Sequence, residues 1–110
     1  WPVRVVLAHM AYWDRFQTAQ LARWDERGFR LQPWFDSDHL NVAALVDWRA
    51  VPAERAKQEV LRAADEANRV FAAAEPSILR AVLVSAPRIA MPHLHRTEHI
   101  EQISGVLPRS

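Results

Sequence analysis

His9, His95 and His99 are the side chains of this sequence best suited to chemistry. His95 and His99 stand four residues apart in PHLHRTEHIEQI. On a helix that spacing puts two imidazoles on one face, a turn apart, where they can share a metal ion. His9 lies in the apolar stretch VVLAHMAYWDRF. Its helical neighbours at one and two turns are Val5, Val6, Tyr12, Trp13 and Phe16, so its ring points into an apolar face. A buried imidazole needs a partner for each nitrogen, and leaving one unmet costs about 1–3 kcal/mol. A metal on one nitrogen and a hydrogen-bond acceptor on the other meets both needs. Three protein ligands leave a coordination position open, which suits catalysis, whereas structural sites are closed by four.

Other residues compete for a role. HRTEH, residues 95–99, also matches H-x-x-E-H, an inverted zinc-peptidase pattern in which Glu98 is the candidate catalytic base. Peptidases with that motif resemble much larger α+β proteins, and no distal acidic ligand is recognisable here. The plain reading of Glu98 is an exposed helix carboxylate. His39 and His93 fall at helix starts and read as non-ligands, either solvated or hydrogen-bonded to a neighbour. Trp13 and Trp24 read as core residues at helical spacing. Trp34 and Trp48, in a loop and a short helix, are possible pocket walls. The chain carries no glycine-rich phosphate loop and no nucleophile elbow.

The elements that must position these residues are helical. Pro2 to about Arg27 reads as one long helix with Gly28 as its stop. Val3, Val6, Leu7, Met10, Trp13, Leu21 and Trp24 form one apolar arc, which Val5, Tyr12 and Phe16 widen. Arg4, Ala8, Ala11, Arg15 and Thr18 are expected to face away. Residues 29–38 form a loop, with Ser37 or Asp38 capping a short helix from about His39 to Arg49. Pro52 breaks the path. From Pro52 to about Ala74 an alanine-rich stripe steps by three and four: Ala53, Ala56, Val60, Ala63, Ala67, Val70, Ala74. Leu61, Ala64 and Phe71 widen it, and its small side chains permit a close neighbour. Ser77 is placed to cap a short helix over Ile78 to Val84, and a last helix runs from about Pro92 to Leu107.

Bulk properties narrow the field. The 110 residues suffice for one domain, residues 1–110. The formal net charge is +1, with 14 basic and 13 acidic residues intermixed. No charge block points to nucleic acid or to a membrane surface. No apolar run approaches the roughly 20 residues of a membrane span. With no cysteine, thiol chemistry here requires a thiol from a co-substrate, and a reducing cytoplasm is the expected compartment. The sum is an all-α up-down helical bundle with three long helices plus short connecting helices.

The order of these features resembles the DinB-like superfamily of four-helix bundles, which includes YfiT-like proteins and mycothiol-dependent maleylpyruvate isomerases. WPVRVVLAHMAYWDR is similar to the family's second helix, which carries an H-L-x-x-W-[ED]-like stretch with the histidine as first metal ligand; that histidine is His9 here. Asp38, Leu40 and Asn41 are similar to the loop and the opening of the next helix. LHRTEHIEQI, with His95, His99 and Gln102, resembles the final helix, which carries H-x-x-x-H or E-x-x-x-H before an I-x-Q-I-like end. The likeness covers nearly the whole chain. It departs at Arg4 and Val5, where the family often has polar or acidic residues, and in lacking the family's first helix. The chain is therefore expected to be N-terminally shortened, with part of the wide apolar arc uncovered or closed by a partner subunit.

The resemblance implies a divalent metal, zinc or nickel, held by His9, His95 and His99. It implies homodimers, and in some members transfer or isomerisation with a low-molecular-weight thiol such as mycothiol or bacillithiol. In that chemistry the metal lowers the pKa of the thiol. Two functions are thus expected. One is a metal-dependent, thiol-using S-transferase or isomerase acting on a small-molecule substrate. The other is a non-catalytic or vestigial bundle that binds or dimerises.

Overall fold

The computed structural model describes residues 1–30, 36–85 and 100–101. Four helices follow one another: α1 Val3–Arg27, α2 Ser37–Arg49, α3 Ala53–Ala73 and α4 Pro76–Ser85. No strand occurs among the described residues, and the all-α expectation holds for them. The expected last helix falls largely outside them. No described helix is long and apolar enough to cross a membrane.

The ends of the helices follow from local chemistry. Pro2 precedes α1, and its carbonyl accepts the first backbone bonds, from Val5 and Val6. Gly28 ends α1 with φ +89° and ψ 150°, a region closed to side-chain-bearing residues, while its N–H donates to the Trp24 carbonyl at 2.7 Å. The cap of α2 is one residue earlier than the sequence suggests. Asp36, not Ser37 or Asp38, accepts the Asp38 N–H at 3.0 Å. Pro52 separates α2 from α3 at the position expected of it. The α3–α4 turn is held by α1, since Asp25 Oδ1 accepts the Glu75 N–H at 2.8 Å.

Helix α1 packs most extensively on α3 and more briefly on α2. Here the sequence reading needs a correction. Arg4, Ala8, Ala11, Arg15 and Thr18 do not face away. Ala8, Ala11 and Thr18 are buried. Arg15 reaches across to Glu59 of α3 at 3.2 Å, and Arg4 donates to the Arg49 and Val51 carbonyls at the α2–α3 corner. A stripe of small residues ended by arginines reads as solvent-facing by hydropathy. It is a close-packing seam, because short side chains let a second helix approach. On α3 the buried positions are Ala56, Ala63 and Ala67, as the stripe predicts. Ala53 and Leu61, placed on that stripe, are exposed instead.

Most of the apolar arc of α1 is covered: Val5, Val6, Met10, Trp13, Leu21 and Trp24 are buried, while Val3, Leu7, Tyr12 and Phe16 are half-buried. At one end Leu21 and Trp24 pack with Ala74 and Val82, with Phe29, Val70 and Phe71 around them. At the other end Val5 and Ala8 pack with Trp48, flanked by Tyr12, Ala44 and Leu45.

The seam gives a direct test. Ala67→Leu adds bulk at a buried position of α3 and should cost about 1–3 kcal/mol. Ala72→Leu, on the exposed face of α3, should stay within about 0.5 kcal/mol of the parent. Urea unfolding of both variants checks this. Equal stabilities would show that α3 does not meet α1 through its alanines.

Candidate functional site

His9 sits on the second turn of α1, where the flanking arcs of the helix are both occupied. Its side chain is buried, with 5% exposure. Aromatic rings define its surroundings. Trp48, from the last turn of α2, meets it edge-on with ring centroids 5.0 Å apart. Trp1, just before α1, does the same at 5.2 Å, and Trp13 stands at 6.5 Å. Trp1 and Trp48 also touch each other at 5.7 Å. Trp1 remains 56% exposed, so it lies over the imidazole from the solvent side.

A second rank of contacts holds this group in place. Tyr12 lies 5.6 Å from Trp48 and 5.3 Å from Trp13. The Trp13 indole N–H donates to Asn41 Oδ1 at 2.8 Å and so ties α1 to α2. Edge-to-face ring pairs of this kind add about 0.5–1.5 kcal/mol each beyond area burial. The rings packed on the histidine restrict its orientation, and the Trp13–Asn41 bond steadies one of them.

The sequence expectations map onto this arrangement unevenly. His9 points inward, as periodicity requires, and Trp13 and Trp24 are core residues. Trp48 is a wall, and among the described residues it is the closest ring to His9. His39 is solvated, 3.6 Å from Asp36 at the start of α2. His93, His95, Glu98, His99 and Trp34 lie outside the described residues. Among the described residues, no group of three or more His, Cys, Asp or Glu side chains is placed to hold a metal ion.

Sequence reasoning missed two features. The first is Trp1, whose only signal was its place in the family-like stretch. The second is a cleft of about 500 Å³ between α1 and the α2–α3 corner. Its apolar walls include Ala8, Ala11, Val51 and Trp48, while Arg15, Arg55 and Glu59 supply charge. Trp48 thus faces two ways, toward the cleft and toward His9. The signal was the Arg4–Ala8–Ala11–Arg15 spacing, which hydropathy alone reads as an exposed face.

Comparison with known proteins returns nothing: no protein family, no curated protein and no solved structure matches this chain.

The Trp13–Asn41 bond is expected to contribute to the site's rigidity. Asn41→Ala removes the acceptor and should lower stability by about 1 kcal/mol, which is about 4–8 °C in Tm for a domain of this size. Asn41→Asp keeps an acceptor and should recover most of the loss. Thermal unfolding of the pair checks it, and identical melting of Asn41→Ala and the parent would contradict it.

Proposed function

We propose that this chain is a metal-binding helical bundle of the DinB-like type, in which His9, His95 and His99 hold one divalent ion. The observation that carries the reading is the buried His9 imidazole, fixed edge-on between Trp48 and Trp1. That environment fits one ligand position. The imidazole is buried, and the rings packed edge-on against it restrict its plane, as a ligating ring requires. The described residues supply this one ligand and no complete set. The other two positions are assigned to His95 and His99 on their sequence spacing alone.

Zinc or nickel is the ion that such an imidazole set suits. When bound, it supplies Lewis acidity, which lowers the pKa of a small thiol taken from solution. The chain's own residues then have separate tasks. His9 anchors the ion from α1. Trp1 and Trp48 shield the His9 ring from water on the outer side, and Asn41 steadies Trp13 beneath it. The reaction that follows from this reading is S-transfer or isomerisation of a small molecule with a thiol of the mycothiol or bacillithiol class, in a reducing cytoplasm.

A second reading is a bundle that binds or dimerises without chemistry. Val42 and Val46 favour it, because they lie one turn apart on α2 and are 70% and 72% exposed. A homodimer joined there is compatible with either reading.

Metal content of the purified protein decides between them. The metal reading expects about one zinc or nickel per chain, as in a single three-histidine site. It expects His9→Ala to lose more than the roughly 10–100-fold in affinity that an outer-partner change costs. His39→Ala, at a solvated position, should bind as the parent does. Parent protein that takes up no ion while sedimenting as a dimer supports the second reading. Full occupancy in His9→Ala removes His9 from the site.

A further inference from the structure

Arg4 closes a circuit through the aromatic group around His9. It stands five residues before His9 on α1 and is half-buried. One guanidinium nitrogen, Nη1, donates to the Arg49 carbonyl at 2.5 Å and to the Val51 carbonyl at 3.3 Å. Arg49 is the last residue of α2, so its carbonyl belongs to the helix end that lacks intrahelical donors. The carbonyls just before it are met locally. Asp47 accepts from Ala50 at 3.1 Å and Trp48 from Val51 at 3.2 Å. Arg4 therefore supplies donors where the turn itself does not. Its positive charge also stands at the negative end of the α2 dipole.

The grip falls directly beside Trp48. Residues 49 and 51, whose carbonyls Arg4 holds, follow the tryptophan in the chain. The indole is buried against Val5 and Ala8 of α1 and meets His9 edge-on at 5.0 Å. Arg4 and His9 belong to one continuous helix. The relation of indole to imidazole is thus set from two sides, by the ring contact and by the hold on the backbone that carries Trp48. Asn41, a second polar tie between α1 and α2, acts instead through Trp13, which stands farther from His9 at 6.5 Å.

We propose that Arg4 is a positioning residue for His9. It holds the end of α2 so that Trp48 keeps the imidazole plane in the orientation a metal ion would meet. The consequence for metal affinity rests on the metal reading above, whereas the orientation of the ring does not. A purely structural Arg4 would lower the melting temperature when removed and leave the His9 ring in place in the folded protein.

The test is NMR of the histidine ring protons in the intact chain, well below the unfolding transition, with zinc titration of the same samples. His9→Ala assigns the His9 signals, and the nearby indoles make those signals sensitive to ring geometry. Arg4→Met keeps an apolar stem and removes both donors. It should shift the His9 ring resonances and weaken zinc binding by about tenfold, the low end for loss of a group that orients a ligand. Arg4→Lys keeps the charge and an N–H donor and should lie closer to the parent in both readouts. Arg49→Ala leaves the accepting carbonyl in place and should match the parent. The proposal is overturned if Arg4→Met melts lower yet keeps the parent's His9 resonances, if it binds zinc as the parent does, or if Arg4→Lys lies no closer to the parent than Arg4→Met. Parent protein that takes up no zinc defeats the metal reading, and the ring resonances then decide the role of Arg4 on their own.

Discussion

The close approach of α1 and α3 sets the rest of the described structure. Ala8, Ala11 and Thr18 on one helix, and Ala56, Ala63 and Ala67 on the other, are all buried. Small side chains on both partners let two helix backbones come close, with dispersion and burial gained where they meet. Larger residues there would push α3 outward. The α2–α3 corner, tied to α1 by Arg4, would move with it.

Two consequences follow at opposite ends of α1. Where α3 begins, the corner brings Trp48 back over the first turns of α1, against Val5, Ala8 and His9. The aromatic group around His9 therefore depends on the seam even though none of its rings belongs to α3. Where α3 ends, Asp25 fixes the turn into α4, and Val82 closes on Leu21 and Trp24. The cleft arises from the same geometry. Alanines that bring the helices together also leave room where α2 turns into α3, and Arg15 and Glu59 bridge its edge.

Helix boundaries were legible because their signals are local. Pro2, Gly28 and Pro52 punctuate the chain, and α1 and α3 carry long unbroken periodicity. The inward direction of His9 was legible for the same reason. The Asp36 cap was missed by one residue, since three neighbouring acid or hydroxyl side chains all satisfy the same rule. The Ala8–Ala11–Thr18 face was misread because hydropathy weighs side-chain size, whereas a close seam selects for its absence. Leu61 was placed inward by its spacing and stands exposed, as tertiary packing uses a narrower stripe of α3 than the pattern offers. Trp48 as a partner of His9 was beyond the sequence, for it depends on how α2 turns back on α1. The pairing of His9 with His95 and His99 rests on their spacing and on the family likeness, and two of the three lie outside the described residues.

Native-state hydrogen exchange measures the central claim most directly. If the alanine seam holds α1 and α3 as one unit, amides in the middle of both helices open only with global unfolding. The account predicts a single, highest exchange free energy shared by Val5–Leu21 of α1 and Ala56–Val70 of α3, with α2 and α4 at or below it. Exchange of the α3 amides at a free energy well below that of α1 would contradict it, since α3 would then open while α1 stayed folded.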